Sequence, residues 1–324
     1  MIRLFRRAGI AGLCLAICQT AAAQTYPAKP ITLIVPFPPG ASADGVARIL
    51  ARKISASLGK PVVVDNRPGA GGTTGLLSVS HAAADGYTLG IGATGAIAVN
   101  HHLPDAPPLD PEKQLQPIAK VADIPLVFIA SQASGIHTLQ EVGKLAQRDG
   151  GISYGTAGQF TSQHLAGELF ASTAKVRMTA VPYRGSTPAL TDVIAGQVPL
   201  GVVDLTSAFP HIKSGRVVPL AVTGASRAKA APDIPTVAER GYQGYVASAW
   251  LGLFAPAGTP DDLVKRLSGE VRAALADPSV VQEMTVLAAE PAYQDATEFK
   301  RYVSAESKKW AAVVSGIGKV KAKQ

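Results

Sequence analysis

Residues 31–75 read ITLIVPFPPGASADGVARILARKISASLGKPVVVDNRPGAGGTTG, and no other stretch restricts the fold as much. Twice, an apolar β-branched run passes through a loop of glycine and small residues into a segment of helical character. A strand buried in this way needs a helix laid over it, so the pattern points to a layered α/β architecture. The same loops carry chemistry. They turn backbone N–H groups toward a ligand with no side chains in the way, and the helix N-termini add partial positive charge. A small anion, such as a carboxylate, is the natural guest.

The alternation continues along the chain. Residues 31–36 read as a strand, and 44–58 as a helix with apolar positions 46, 47, 49, 50, 54 and 58 on one face. Ser42 or Asp44 can cap its start, and Gly59 ends it before Pro61. Further strands are expected at 61–65, 87–92, 126–130, 198–203, 217–222 and 251–254, with helices at 74–84 and 138–148. Residues 152–173 (ISYGTAGQFTSQHLAGELFAST) form one more strand–small-residue loop–helix unit. The C-terminal third reads as helices at 261–276, 279–288 and 297–314. This order favours parallel sheets covered on both faces.

The N-terminus indicates where such a protein works. Arg3, Arg6 and Arg7 precede an apolar run from Ala8 to Ile17, and Ala21-Ala22-Ala23 offers a cleavage pattern. Residues 1–23 are therefore read as a secretory signal peptide, and the run is too short for a spanning helix of roughly 20 residues. A lipoprotein reading through Cys18 meets the bulky Ile17 at the position where a small residue is expected. Both cysteines, Cys14 and Cys18, leave with this segment, and so do three of the 31 basic residues. The remaining chain has 28 basic and 23 acidic side chains, a net charge of +5 that helps attract small anions. Its basic residues are scattered and not interleaved with aromatics, which gives nucleic-acid binding no support.

Several catalytic and metal patterns compete. Gly90-Ile91-Gly92-Ala93-Thr94-Gly95 matches G-x-G-x-x-G after a strand, yet a dinucleotide site also needs a helix there and an acid ending a strand about 20 residues on. Asp110 sits instead between Leu109 and Pro111. An exported hydrolase using Ser162 or Ser42 with His164 is a rival reading, although no G-x-S-x-G elbow occurs. A metal-binding receptor is a second rival, through His101-His102 and Asp105. Adjacent histidines rarely chelate one ion, and no third ligand stands at suitable spacing. No cofactor is expected.

One family unites these features. Tyr26-Pro27, Lys29-Pro30-Ile31, Val35-Pro36-Phe37, Pro39-Gly40 and Asp44 resemble the opening of the Bug substrate-binding proteins, periplasmic receptors of tripartite tricarboxylate transporters. The resemblance runs on through Val64-Asp65-Asn66-Arg67-Pro68-Gly69-Ala70-Gly71-Gly72 and Asp85-Gly86-Tyr87-Thr88-Leu89. It continues in Tyr154-Gly155, His164-Leu165-Ala166, Val181-Pro182-Tyr183 and Gly196-Gln197-Val198, and ends with DIPTVAERG at 233–241 and APAGTP at 255–260.

The resemblance implies a type II periplasmic-binding-protein fold, two α/β domains joined by two crossing strands around a ligand cleft. The crossings are expected near 118–129 and 250–256, with domain 1 at 24–124 and 249–324 and domain 2 at 125–248. It implies a monomer that closes on a small organic carboxylate or dicarboxylate and is read by membrane transporter subunits. Carried onto this chain, the carboxylate would meet Phe37, Gly40, Ala41, Ser42 and Asp44 in the first loop. Gly69, Ala70 and Gly71 in the second loop would join them, with Thr94 close by. Domain 2 would add Thr156, Gly158, Phe160, Thr161 and Ser162, then Tyr183 and Asp204. Two positions depart from the family pattern: Ala41 follows Gly40 where a second glycine is usual, and Phe160 stands where the family loop carries glycine. A phenyl ring at the cleft mouth would admit an aromatic carboxylate or pack back onto domain 2. With it, the expected ligand is not a large tricarboxylate such as citrate.

Overall fold

The computed structural model describes residues 26–103, 108–147 and 150–321. The leader inferred at 1–23 and the histidine-adjacent Asp105 lie outside the described residues. In chain order, β1 (Ile31–Val35) leads into α1 (Ser42–Leu58), followed by β2 (Val62–Asn66), α2 (Thr73–Ser80) and β3 (Thr88–Ala93). The short α3 (Pro111–Gln114) then starts β4 (Leu115–Ile124). The α1 face made by Val46, Ala47, Ile49, Leu50 and Ile54 is buried, as its spacing predicts, and Gly59 in the left-handed region stops the helix.

After Pro125 the chain enters a second body. There β5 (Leu126–Ser131), α4 (Leu139–Ala146), β6 (Ile152–Thr156) and α5 (Ser162–Ala174) are followed by β7 (Met178–Pro182), α6 (Ser186–Ile194), β8 (Leu200–Asp204), α7 (Leu205–Lys213) and β9 (Val217–Val222). It returns by β10 (Ala249–Pro256) to α8 (Asp261–Ala276), α9 (Pro278–Val286), β11 (Glu290–Gln294) and α10 (Ala296–Lys321). Among the described residues the strands form two sheets, β11-β4-β10-β3-β1-β2 and β7-β6-β8-β5-β9. Each sheet with its helices is one lobe.

The expectation of parallel sheets holds only in part. β1 pairs in parallel with β2 and β3, and β6 with β7 and β8, but β10 runs antiparallel to β3 and β4, and β5 antiparallel to β8 and β9. The strands that carry the chain between lobes arrive from the opposite side, which reverses their direction. Proline at 125 has no N–H to continue a ladder, and it separates β4 from β5. β10 pairs with β4 along its whole length, from Ala249 opposite Ile124 to Pro256 opposite Leu115. Just upstream of β10 the chain is tied to residue 223. There the Ala247 N–H donates to the Thr223 carbonyl, and the Thr223 hydroxyl donates to the Ala247 carbonyl.

Large aromatic side chains of β10 and α10 meet in the first lobe's core. Trp250, Phe254, Phe299 and Trp310 are fully buried, and both indole N–H groups, of Trp250 and Trp310, donate to Glu306.

Candidate functional site

Three small-residue loops face one another between the lobes. Two adjoining cavities lie there, an inner one of about 60 Å³ and an outer one of about 380 Å³. They share Phe37, Pro38, Gly71, Ala157, Thr161 and Gly185 as walls, so the two spaces adjoin.

The first loop owes its shape to Asp44. This buried carboxylate accepts from the Gly40 N–H (2.9 Å), from Arg48 Nε and from Asn66 Nδ2. Asn66 Nδ2 also donates to the Phe37 carbonyl. Gly40 and Asp44 therefore satisfy each other and line neither cavity, whereas Phe37, Ala41 and Ser42 do. Burial alone would raise the Asp44 carboxyl's pKa. The hydrogen bonds from Arg48, Gly40 and Asn66 outweigh it and hold the group below the usual carboxylate range. A depressed folded-state pKa stabilises the fold above the unfolded pKa of about 4, and that contribution is lost as pH falls through the folded value. Asp44→Asn is thus expected to lower Tm at neutral pH, and the gap from the native protein should close on acidification below about pH 4. A gap independent of pH in a thermal-melt series would contradict this.

The second loop turns through four consecutive residues with positive φ, Gly69 (145°), Ala70 (46°), Gly71 (62°) and Gly72 (102°). Only a glycine-rich run adopts such a path at low cost, and the Gly72 N–H closes it by donating to the Gly69 carbonyl at 2.9 Å. Gly69, Ala70 and Gly71 line the outer cavity. Asn100 braces the turn from behind, donating to the Thr73 hydroxyl at 2.9 Å. Thr94 lies outside the cavities: its buried hydroxyl accepts the Trp250 N–H at 3.0 Å and ties β3 to β10. Its neighbours Ala93 and Gly95 face the inner cavity instead.

In the second lobe, Ala157, Thr161, Ser162 and Gln163 line the cavities at the start of α5, and Gly158 lines the outer one. Thr156 is buried beneath the loop and accepts the Gly158 N–H. Phe160 sits at φ 60°, and its N–H donates to His164 Nδ1 at 2.9 Å. Its ring lies 5.6 Å from the His164 ring, so it packs back onto α5 and lines neither cavity. That removes the structural ground for aromatic stacking at the mouth. His164 Nε2 faces Glu168 Oε1 at 3.6 Å, while the Ser42 hydroxyl donates to Asp204, an arrangement in which His164 shapes the loop. Among the described residues no group of three or more metal-ligating side chains converges, and the Nε2 atoms of His101 and His102 both meet the Ser307 hydroxyl.

Tyr183 lines the outer cavity with its hydroxyl committed to Asp192 at 2.7 Å. Its pKa is pushed up to about 12 by burial and by that carboxylate. Asp204, at the end of β8, forms part of the inner cavity and is buried. It accepts hydrogen bonds from Ser42 of the first lobe and Gln163 of the second, and its own N–H donates to Ser186. Burial raises its carboxyl pKa, and the bonds with Ser42, Gln163 and Ser186 oppose that rise.

Sequence reasoning missed Gln163, Arg184, Gly185, Ser186 and Trp250 as cavity residues. Four of them had a local signal. Gln163 follows a capping threonine, and Arg184 to Ser186 form one more loop between a strand and a helix. The half-exposed β7 hid that unit, because its sequence MTAVP lacks a continuous apolar run. Trp250 was expected only as the start of the crossing at 250–256, and the pairing of β10 with β4 brings it to the cleft wall.

Two α/β lobes, linked by two crossings and enclosing a small-residue cleft, define a type II periplasmic binding protein. The solved structure of the periplasmic binding protein BugD is similar, with 34% identity and a TM-score of 0.82 over 90% of this chain and 99% of that one. Rpa4515 of R. palustris, solved with adipate, gives 32% identity and a TM-score of 0.83 over 90% of this chain and 98% of that one. MatC of Rhodopseudomonas palustris, with bound malate, gives 30% and 0.81 over 89% and 100%. Residues 46–319 match the family described as tripartite tricarboxylate transporter family receptor. The chain belongs to this family, the Bug-type periplasmic solute-binding receptors.

Proposed function

We propose that this protein is an exported receptor that captures a small organic carboxylate between its lobes and presents the closed form to a membrane transporter. The observation that carries the reading is the pair of adjoining cavities between the lobes, lined by the glycine turn at 69–72 and by small-residue loops from both lobes. A glycine-rich turn that can present backbone N–H groups suits a carboxylate. Adipate in Rpa4515 and malate in MatC give the same ligand chemistry in relatives. Residues 24–124 with 249–324 would form one rigid body and 125–248 the other, hinged at Pro125 and at 247–249. Ligand contacts on both lobes favour closure, which is the state a transporter would read. Among the described residues no helix is long and apolar enough to cross a membrane.

The test is mass spectrometry of ligand released from protein purified under native conditions, paired with thermal shifts against C4–C6 dicarboxylates, aromatic carboxylates and citrate. A small carboxylate in the released fraction, with stabilisation by its pure form, is expected. Buried Trp250, which borders the inner cavity, should change its fluorescence on binding. No released acid and no shift with any carboxylate would overturn the reading, and turnover of an ester panel would favour a hydrolase.

A further inference from the structure

We propose that the cleft is electrically two-ended, acidic at Asp204 and cationic at Arg184, and therefore selects a carboxylate bearing a hydroxyl or ammonium donor at its far end. The proposal rests on the receptor reading above and adds the ligand's second functional group.

The inner end is unusual for an anion site. The N-termini of α1, α5 and α6 converge on it, through Ser42, Gln163 and Ser186, and their partial positive charge favours one negative group. Asp204 already supplies that group. Ser42 and Gln163 spend their donors on its two oxygens. An ionised carboxylate can accept about four hydrogen bonds, so acceptor capacity remains on the cavity side. No Lys, Arg or His side chain lines this inner space, whose remaining wall is mostly apolar, with Ile124, Trp250 and Leu251 among it. Burial works against ionisation of Asp204 and its Ser42 and Gln163 bonds favour it; in the ionised form a second carboxylate placed here would meet a like charge at close range, which is unfavourable. A hydroxyl or an ammonium would instead complete a buried acid that otherwise lacks a cation, and burying an unpaired charge is costly. The volume of about 60 Å³ admits only a few water-sized groups, enough for the tip of a ligand.

The outer end has the opposite character. Arg184 is the one cationic side chain among the described residues lining either cavity, it is exposed, and it makes no ion pair with another described residue. It shares the outer cavity with the glycine-rich turn of residues 69–72. A ligand carboxylate placed there meets Arg184 and the turn together.

Calorimetric titration of three- to six-carbon acids tests this, comparing ω-hydroxy, ω-amino, unsubstituted and dicarboxylic forms at each length. At the best length, the hydroxy or amino acid should bind at least about tenfold tighter than its unsubstituted counterpart, as expected for a hydrogen bond to a charged group. The two donor arms show which group Asp204 takes. Asp204→Asn should erase that preference, and Arg184→Ala should weaken all four forms alike. If Asp204→Asn fails to fold, the native protein's preference decides. Equal or tighter binding of unsubstituted acids or dicarboxylates, or a preference that survives Asp204→Asn, overturns the proposal and leaves the receptor reading standing. Binding of none of these acids, together with no acid released from native protein, overturns both.

Discussion

Gly95→Ala should weaken ligand binding about ten- to hundredfold while leaving the Tm of the ligand-free protein nearly unchanged. Gly95 begins the short helical turn after β3 in the first lobe. A Cβ built there would stand 2.6 Å from the Phe160 carbonyl oxygen and 3.4 Å from Thr161 Cα, both in the second lobe. Real Cβ atoms essentially never approach backbone oxygen that closely, so the lobes must stop short. The opposing oxygen cannot easily retreat, because the Phe160 N–H is held by His164 and Thr161 caps α5. Overpacking of this kind costs about 1–3 kcal/mol, and each 1.4 kcal/mol is tenfold in affinity. With the hinge closure proposed above, the penalty falls on the closed state, since the three nearest obstructing atoms all belong to the other lobe. Titration with the native ligand and calorimetric melting of the apoprotein measure the two quantities separately. Unchanged affinity, or a large loss of Tm without ligand, would show that the lobes do not close through this contact.

Phe299→Ala should produce the largest loss of stability among the substitutions considered, about 3–5 kcal/mol for a fully buried phenyl ring. The ring lies edge-on to Trp250 at 5.5 Å and 5.3 Å from Phe254, and it anchors α10 to β10. Gly252 makes room for it: a Cβ there would come within 2.1 Å of Phe299 Cζ. Ring and glycine are thus one fitted pair. Against a total stability of about 5–15 kcal/mol, losing the ring leaves a marginal fold. Urea denaturation should also show that Gly252→Ala costs less when Phe299 is already alanine, because the clash has been removed. Additive losses would contradict that fit.

The sequence displayed some of this pair of lobes and hid the rest for definable reasons. α1 was legible because its apolar spacing and its Gly59 stop are local properties. β4, β7 and β11 were not read as strands in their own right: β7 and β11 are half-buried without clean alternation, and β4 gains its burial from neighbours distant in sequence. Within the site, the glycine turn at 69–72 could be read from composition. The role of Asp44 could not, since it depends on Asn66 arriving from β2 to complete the clamp.

What the sequence determined by itself was the α/β class, the two glycine-rich turns of the first lobe and the family to which the chain belongs. These rest on periodicity, backbone permissiveness and ordered motifs, all carried by residues near one another in the chain. Only the tertiary structure decided which of those residues face the cleft. Gly40 and Asp44 consume each other's hydrogen-bonding groups, Phe160 folds back against His164, and Ser42 reaches Asp204 across 162 residues. Whether a polar group is free for a ligand depends on what else has come within about 3 Å of it, and for a cleft between two lobes that neighbour lies on the other side.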